Sequence, residues 1–301
     1  MTQPVICLLL DSTALVRYAD WNVDVMEVLQ ELYDDPNAAV GVPVVSLIEA
    51  RAVVQGRDLA RLDALVRLPE CHDAAAGCGY GAEVSADTAG ASYGSVRDAY
   101  DTVAEDYAAL LPDTRAEAAL DLAMIDAFAA AVGKGARVLD AGCGAGRMSR
   151  YLAGRDVAVE GVDLSPGMVA RARRDHPDIT FSVGSIADLP YRAGSFDGVM
   201  LWYSTIHTPP PDQPRIYQEV RRVLRPGGHL LVGFQSGEGV HDAAPSYRRY
   251  GHEVTLVRYL FTADEVSGWL TAAGFHEECR LVRRPAGVYP DDQAFLIARA
   301  G

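Results

Sequence analysis

The sequence predicts an α/β fold, a mostly parallel seven-stranded sheet with helices on both faces and an antiparallel edge strand, plus a small N-terminal α/β segment. Three observations predict it. From Arg137 onward, short apolar runs alternate with stretches of helical periodicity. The first run leads into a glycine-rich turn that opens a helix, Asp140-Ala-Gly-Cys-Gly-Ala-Gly146. The last two runs follow each other with no helical pattern between them, as an antiparallel pair would.

The elements follow in order. Residues 5–10 are a continuous apolar run and read as a buried strand, and 38–45 read as a second. Helical patterns cover 25–32 and 47–54. A Gly/Ala/Ser-rich stretch with little to bury, 74–94, reads as a linker, so the expected organisation is 1–73, linker 74–94 and a main domain 95–301. The main domain opens on an amphipathic helix carrying Val96, Tyr100, Val103, Ala104 and Tyr107, then a helix at 120–132. Strands are expected at 137–139, 157–163, 180–183, 198–202 and 230–234, with helices after the first, second and fourth. Ile216, Val220, Val223 and Leu224 recur at helical spacing, and Pro226-Gly-Gly228 stops that helix. Thr262-Ala-Asp-Glu265 reads as a capping box opening a helix that ends at Gly274. Residues 278–282 and 294–298 are the closing pair.

Composition narrows the function. The chain has 301 residues, is 49% hydrophobic and carries a formal net charge of −14. Such acidity does not steer a protein toward nucleic acid or anionic membranes, so a small-molecule substrate is expected and nucleic acid is not. Five cysteines with no C-x-x-C pair suggest neither a disulfide framework nor a metal site. The apolar run 5–10 is too short for a signal peptide, and no segment has the length of a membrane span. A cytoplasmic protein is the default expectation; oligomeric state is not legible.

The glycine turn carries the chemistry. Gly142, Gly144 and Gly146 let the backbone turn sharply and approach a ligand, at the start of a helix whose N–H groups favour an anion. Asp163 ends the next strand, where a nucleotide-binding α/β fold places a carboxylate on ribose hydroxyls. Dinucleotide sites favour G-x-G-x-x-G, whereas the spacing here is G-x-G-x-G after an aspartate.

That pattern resembles the first motif of the class I S-adenosylmethionine-dependent methyltransferases, Rossmann-like enzymes. The resemblance runs over about 96–298. It includes Gly161-Val-Asp-Leu-Ser165 with Met168, Gly184-Ser-Ile-Ala-Asp-Leu-Pro190, Phe196-Asp197 and Leu224-Arg-Pro-Gly-Gly228. Residues 96–107 are similar to the helical lid that precedes the fold. The resemblance implies S-adenosylmethionine as cofactor and S-adenosylhomocysteine as product. Gly142, Cys143 and Gly144 would approach the methionine part, with Gly146 completing the loop. Asp140 would orient the loop and hold the amino group. Asp163 would bind the ribose, Leu164 and Met168 would pack near the adenine, and Ser185 and Ile186 would border it. Tyr107 would close over the cofactor. The family often has an acid followed by Ala or an aromatic where this chain has Ser185-Ile186.

Methyl transfer from a sulfonium is an in-line displacement with an already activated leaving group. Alignment alone supplies on the order of 7–11 kcal/mol of such a barrier. The acceptor is expected beyond the carboxyl end of the fourth strand of the main domain, in Leu201-Trp-Tyr-Ser-Thr-Ile-His207. His207 is the candidate general base and His252 a second candidate; Trp202 and Tyr203 border the site, and Tyr247, Tyr250 and His252 lie in a later loop. No Asn-Pro-Pro-Tyr-like tetrapeptide or Pro-Cys pair follows that strand, which speaks against methylation of DNA bases.

Two alternatives stay open. One is an NAD-dependent oxidoreductase on a similar sheet; the other is a PIN-type, toxin-related RNA-interacting protein with a vestigial transferase domain. In the first seventy residues, Leu9-Leu-Asp11-Ser-Thr-Ala-Leu15 and Val42-Pro-Val-Val-Ser-Leu-Ile-Glu49-Ala50 resemble the N-terminal half of a PIN domain, a fold of toxin nucleases. That resemblance implies metal-binding acids at Asp11 and Glu49. The later acids of such a site are missing before the linker, which favours a non-catalytic remnant or interaction module over a nuclease.

Overall fold

The computed structural model describes residues 6–9, 38–41, 93–248, 251–284 and 291–301. The chain divides into two units, Met1–Tyr80 with Pro285–Pro290, and Gly81–Arg284 with Asp291–Gly301. In the first, β1 (Ile6–Leu9) and β2 (Ala38–Gly41) pair in parallel, Ile6 opposite Ala38. The expected helices at 25–32 and 47–54, the acids Asp11 and Glu49, linker residues 74–92 and Tyr250 lie outside the described residues. The last two residues expected in the linker, Tyr93 and Gly94, instead open a helix.

The second unit starts with α1 (Tyr93–Leu110) and α2 (Ala119–Val132). Ala99, Val103, Ala104 and Ala108 are the buried stripe of α1, at the spacing that makes one helical face. Next come β3 (Arg137–Ala141), α3 (Arg147–Ala153), β4 (Ala158–Asp163), α4 (Pro166–Asp175), β5 (Thr180–Val183) and β6 (Phe196–Trp202). Then follow α5 (Gln213–Val223) and β7 (Leu224–Ser236). A short hairpin, β8 (Val240–Asp242) and β9 (Val257–Tyr259), encloses the single turn α6 (Pro245–Arg248). The chain closes with α7 (Ala263–Ala272), β10 (Phe275–Arg283) and β11 (Asp292–Ala300). Thr262 caps α7 with Glu265 in the expected box.

The seven strands run in the order β10-β11-β7-β6-β3-β4-β5. β3 pairs in parallel with β4 and β6, β4 with β5, and β6 with β7. The expected antiparallel pair is at the sheet margin, and β11 is antiparallel to both of its neighbours, β7 and β10. Pro226-Gly-Gly228 does more than end α5: it lies inside β7, which already begins at Leu224, and the register with β6 shifts there. Asp197 accepts from the Arg137 N–H and pairs with Arg225, so this acid fastens the amino end of the sheet, away from the ligand end.

Alternation along the strands builds two cores. Leu139, Val199, Leu201, Leu230, Val232 and Leu296 face Ile216, Tyr217, Val220, Val266 and Leu270 of α5 and α7. Their neighbours Val138, Met200, Leu231, Phe295 and Ile297 face Met124, Ile125, Phe128 and Leu152 of α2 and α3. Each such side chain, removed from water, contributes roughly 1.5–3 kcal/mol. A sheet covered on both faces leaves only its strand ends open, so ligands meet it at the carboxyl ends of β3, β4 and β6. No described helix is long and apolar enough to cross a membrane.

Candidate active site

β3 delivers Asp140 fully buried, 1% exposed, to the root of the glycine loop. Ser149 Oγ, from α3, donates to Asp140 Oδ2 at 2.6 Å, while Oδ1 is buried with no hydrogen-bond partner. Burial, and then the nearby Asp163 carboxylate, push the Asp140 carboxyl up to about 7 against the opposing Ser149 bond. An unpartnered buried carboxylate oxygen is costly unless a donor is supplied to it, and an ammonium is the natural one.

The loop itself is shaped by positive φ. Gly142 has φ +80°, and a Cβ there would stand 2.2 Å from Ser204 Cβ. Gly146 has φ +84° and is the N-cap of α3. The N–H groups of Gly142 and Cys143 both donate to the Val162 carbonyl, at 2.7 and 3.0 Å, and that of Gly146 to Cys143 O at 3.0 Å. Gly144 N–H donates to Asp163 Oδ2 at 2.8 Å. These four donors are therefore committed within the protein, and the loop offers a ligand close backbone approach and carbonyl oxygens. With the buried Asp140 and the half-buried Asp163 carboxyl groups beside it, this corner favours positive charge. The expectation of an anion-favouring turn fits the loop less well than the first turn of α3 behind it.

Asp163 sits where the sequence put it, at the end of β4, and its other oxygen accepts from Ser165 N–H at 2.9 Å. Burial raises its pKa against those backbone bonds. Ser165 caps α4 by accepting from Met168 N–H at 3.0 Å. Leu164 is half-buried, whereas Met168 is fully buried, packed with Val103 and Ala104 of α1 and Ala145 of the loop. Ser185 and Ile186 lie together just past β5, half-buried. Ser185 Oγ accepts from Ala187 N–H at 3.2 Å, and Ile186 packs on the α5/α7 core. Cys143 is buried, and burial raises its thiol well above the ordinary value.

Helix α1 lies across this corner. Asp101 Oδ1 accepts from Gly167 N–H at 2.8 Å and from Ser165 Oγ at 2.5 Å, and Glu105 pairs with Arg171 and Arg174 of α4. Tyr107 is half-buried over the loop, its Cε1 4.0 Å from a Cβ built on Gly144. Beside it, Tyr100 meets its ring edge-on at 6.1 Å.

On the acceptor side, His207 is 8% exposed. Its Nδ1 is 2.5 Å from the Val257 carbonyl and its Nε2 2.8 Å from Tyr100 Oη. Burial pulls its pKa down to about 4, against the Val257 bond. The structure thus brings His207 to the site but engages both ring nitrogens. His252 stands elsewhere: its Nε2 is 2.6 Å from Asp106 Oδ2 on the solvent side of α1, with 21% of its side chain exposed. Trp202 is buried and stacked on Phe295 at 4.9 Å, and its indole N–H reaches Glu117 Oε1 at 3.4 Å. Glu117 in turn pairs with Arg147 at 2.6 Å, with side chains 3% and 12% exposed. Tyr203 has φ +54° and donates to Gln293 Oε1 at 2.6 Å. Sequence patterning missed the roles of Tyr100, Asp101 and Glu117. Their only signal was a position on or after the lid helix, and each works through a partner far along the chain. Among the described residues, no three His, Cys, Asp or Glu side chains converge to hold a metal.

With strand order and site geometry in place, comparison with known proteins decides the family of fold. Residues 138–228 match the family model described as a methyltransferase domain. The second unit has the class I methyltransferase fold. A demethylmenaquinone methyltransferase of Beutenbergia cavernae is 40% identical over 110 residues, 36% of this chain and 44% of that one. The 27-O-demethylrifamycin SV methyltransferase of Amycolatopsis mediterranei is 35% identical over 155 residues, 48% of this chain and 55% of that one. The chain thus matches about half the length of these curated relatives. Among solved structures, the 1,6-didemethyltoxoflavin-N1-methyltransferase of Burkholderia thailandensis has bound substrate and S-adenosylhomocysteine. It aligns with a TM-score of 0.55 at 21% identity, over 69% of this chain and 88% of that one. At that identity the likeness is one of fold.

Proposed function

We propose that this chain is an S-adenosylmethionine-dependent methyltransferase acting on a small-molecule acceptor by in-line methyl transfer. The observation that carries it is the unpartnered, buried Asp140 Oδ1 beside a glycine loop in which the N–H groups of Gly142, Cys143, Gly144 and Gly146 are committed. A site of that kind accepts a cationic amino acid moiety and disfavours the pyrophosphate of a nicotinamide dinucleotide, which needs free N–H donors. The names of the curated relatives support the same activity and a small-molecule acceptor.

The residues fit the cofactor as follows. Asp140 takes the amino group, with Gly142, Cys143, Gly144 and Gly146 lining the methionine part. Asp163 takes ribose hydroxyls through the lone pairs left by its backbone bonds. Leu164, Met168, Ser185 and Ile186 border the adenine, Met168 from beneath α1. Tyr107 closes the loop side, and Trp202 supports the strand end. When bound, the cofactor supplies an activated methyl group on a sulfonium. The protein's own part is to exclude water with α1, to orient the partners and to hold protons in fixed places. Both ring nitrogens of His207 are engaged, so it serves the reaction as a hydrogen-bonding group; His252 serves as a tie between α1 and the β8–β9 insert.

The N-terminal unit is assigned a non-catalytic, PIN-like role, and the protein a cytoplasmic place, in keeping with the sequence. Calorimetry separates the leading function from its rival: S-adenosylhomocysteine should bind and NAD should not. Binding of NAD alone would sink the proposal. A panel of phenols and amines, scored for production of S-adenosylhomocysteine, then identifies the acceptor. His207→Ala with unchanged turnover across pH would remove His207 from the mechanism.

A further inference from the structure

We infer that Tyr100 is the residue that meets the acceptor's reacting atom, and that His207 is its positioning residue. The inference rests on the methyltransferase function proposed above.

The tautomer follows from geometry. A carbonyl oxygen only accepts, so the 2.5 Å contact with Val257 O places the ring hydrogen of His207 on Nδ1. Nε2 of the neutral ring is then an acceptor, and the 2.8 Å contact obliges Tyr100 Oη to donate its hydrogen to it. A phenol has one hydrogen and two oxygen lone pairs. Tyr247 also hydrogen-bonds to Tyr100. With its one hydrogen on His207 Nε2, Tyr100 Oη has only lone pairs to offer any other partner.

The place of those lone pairs matters. Tyr100 packs with Tyr107, Ala145 and Met168, so its ring belongs to the wall formed by the glycine loop and α1. His207 belongs to the segment after β6, where the proposed function puts the acceptor. Tyr100 therefore stands at the boundary between donor and acceptor, and it presents only an acceptor lone pair. It selects a nucleophile whose reacting atom still carries hydrogen, a hydroxyl or a primary or secondary amine. Accepting a hydrogen bond from that atom turns its lone pair toward the methyl group. As the new bond to carbon forms, the carbon–sulfur bond breaks and its electron pair leaves with S-adenosylhomocysteine as a neutral thioether. The hydrogen stays on the now positively charged product atom until it is lost to water. His207 fixes the direction by holding the Tyr100 hydrogen on the far side. Asp101, the next residue, fastens the same turn of α1 to the start of α4, so occupancy of the cofactor side and the position of Tyr100 are mechanically joined.

The test has two arms. Nitrogen NMR of the wild type should find His207 protonated at Nδ1, with Nε2 bare and hydrogen-bonded; Tyr100→Phe should move only the Nε2 signal, to that of a free nitrogen. This arm needs no acceptor. In the second, wild type and variants are compared on whichever phenol or amine the panel yields. Tyr100→Phe should lower kcat on the order of 10- to 100-fold, with S-adenosylhomocysteine affinity within about twofold. His207→Leu should match it, His207→Gln, which keeps an acceptor for the hydroxyl, should recover much of the loss, and the double variant should be no worse than Tyr100→Phe. The opposite tautomer, an unmoved Nε2, near-normal kcat in Tyr100→Phe, or wild-type turnover only of acceptors lacking a hydrogen at the reacting atom overturns the inference. Failure of the wild type to bind S-adenosylhomocysteine instead overturns the proposed function, and is told apart because the nitrogen signals still report the Tyr100–His207 bond.

Discussion

Replacing Asp140 by Asn removes a charge while preserving shape, and its consequences run in opposite directions for stability and binding. In the wild type the carboxyl goes from an ordinary 3.8 to about 7 on folding, chiefly through burial. The folded chain thus holds this proton more tightly than the unfolded chain. Folding stability falls as pH rises from about 4 to about 7, and the loss, about 4 kcal/mol, is complete above that. The amide introduced by Asp140→Asn cannot ionise, and its oxygen still accepts from Ser149. The variant should therefore be more stable than wild type by about 2–4 kcal/mol at pH 8 and equal to it near pH 4. Binding should show the reverse. An ammonium on Oδ1 needs the ionised carboxylate, so affinity for S-adenosylhomocysteine should rise roughly tenfold per pH unit from about 5 to about 7, then level off. In Asp140→Asn that slope should vanish, with affinity at pH 8 lower on the order of 100-fold. Urea denaturation at several pH values and calorimetry over the same range measure both. Equal pH slopes in the two proteins, or unchanged affinity in the variant, would refute the assignment of Oδ1 to the amino group.

Three other outcomes are expected. Gly142→Ala meets both a positive φ and Ser204 Cβ at 2.2 Å; it should lose about 2–4 kcal/mol of stability by denaturation and bind S-adenosylhomocysteine at least tenfold more weakly, on the scale of left-handed strain plus overpacking. Glu117→Ala removes the carboxylate that Arg147 pairs with at 2.6 Å and leaves it the weaker contact with Asp113 O at 3.4 Å; a loss of about 3–5 kcal/mol in chemical denaturation is expected, and a loss near zero would mean that the pair contributes little. His252→Ala should leave kcat within about threefold, since His252 bonds Asp106 on the outer side of α1, but should speed proteolysis of the α6 region; a large fall in kcat would restore His252 as a catalytic group.

Much of the fold was legible because it rests on local patterns. Thr180–Val183 and the Thr262 capping box stand where periodicity and capping chemistry put them. Pro226-Gly-Gly228 was legible only as a helix stop. It also lies within β7, at the point where the register with β6 passes from Leu224 to His229, so the breaking signal bulges the strand without ending it. The glycine loop was legible as a turn that approaches a ligand. That its N–H groups point at Val162 and Asp163, leaving a corner that favours cations, depends on β4 lying alongside.

The sequence by itself determined where the glycine turn and the acids at the strand ends stand, because both are set by patterns that span a few neighbouring residues. Tertiary structure alone decided what His207 can do. Its tautomer is set by a carbonyl 50 residues ahead and its Nε2 by a tyrosine 107 residues behind. Burial, which no local pattern encodes, then holds the ring neutral with both nitrogens engaged, the arrangement on which the proposed role of Tyr100 rests.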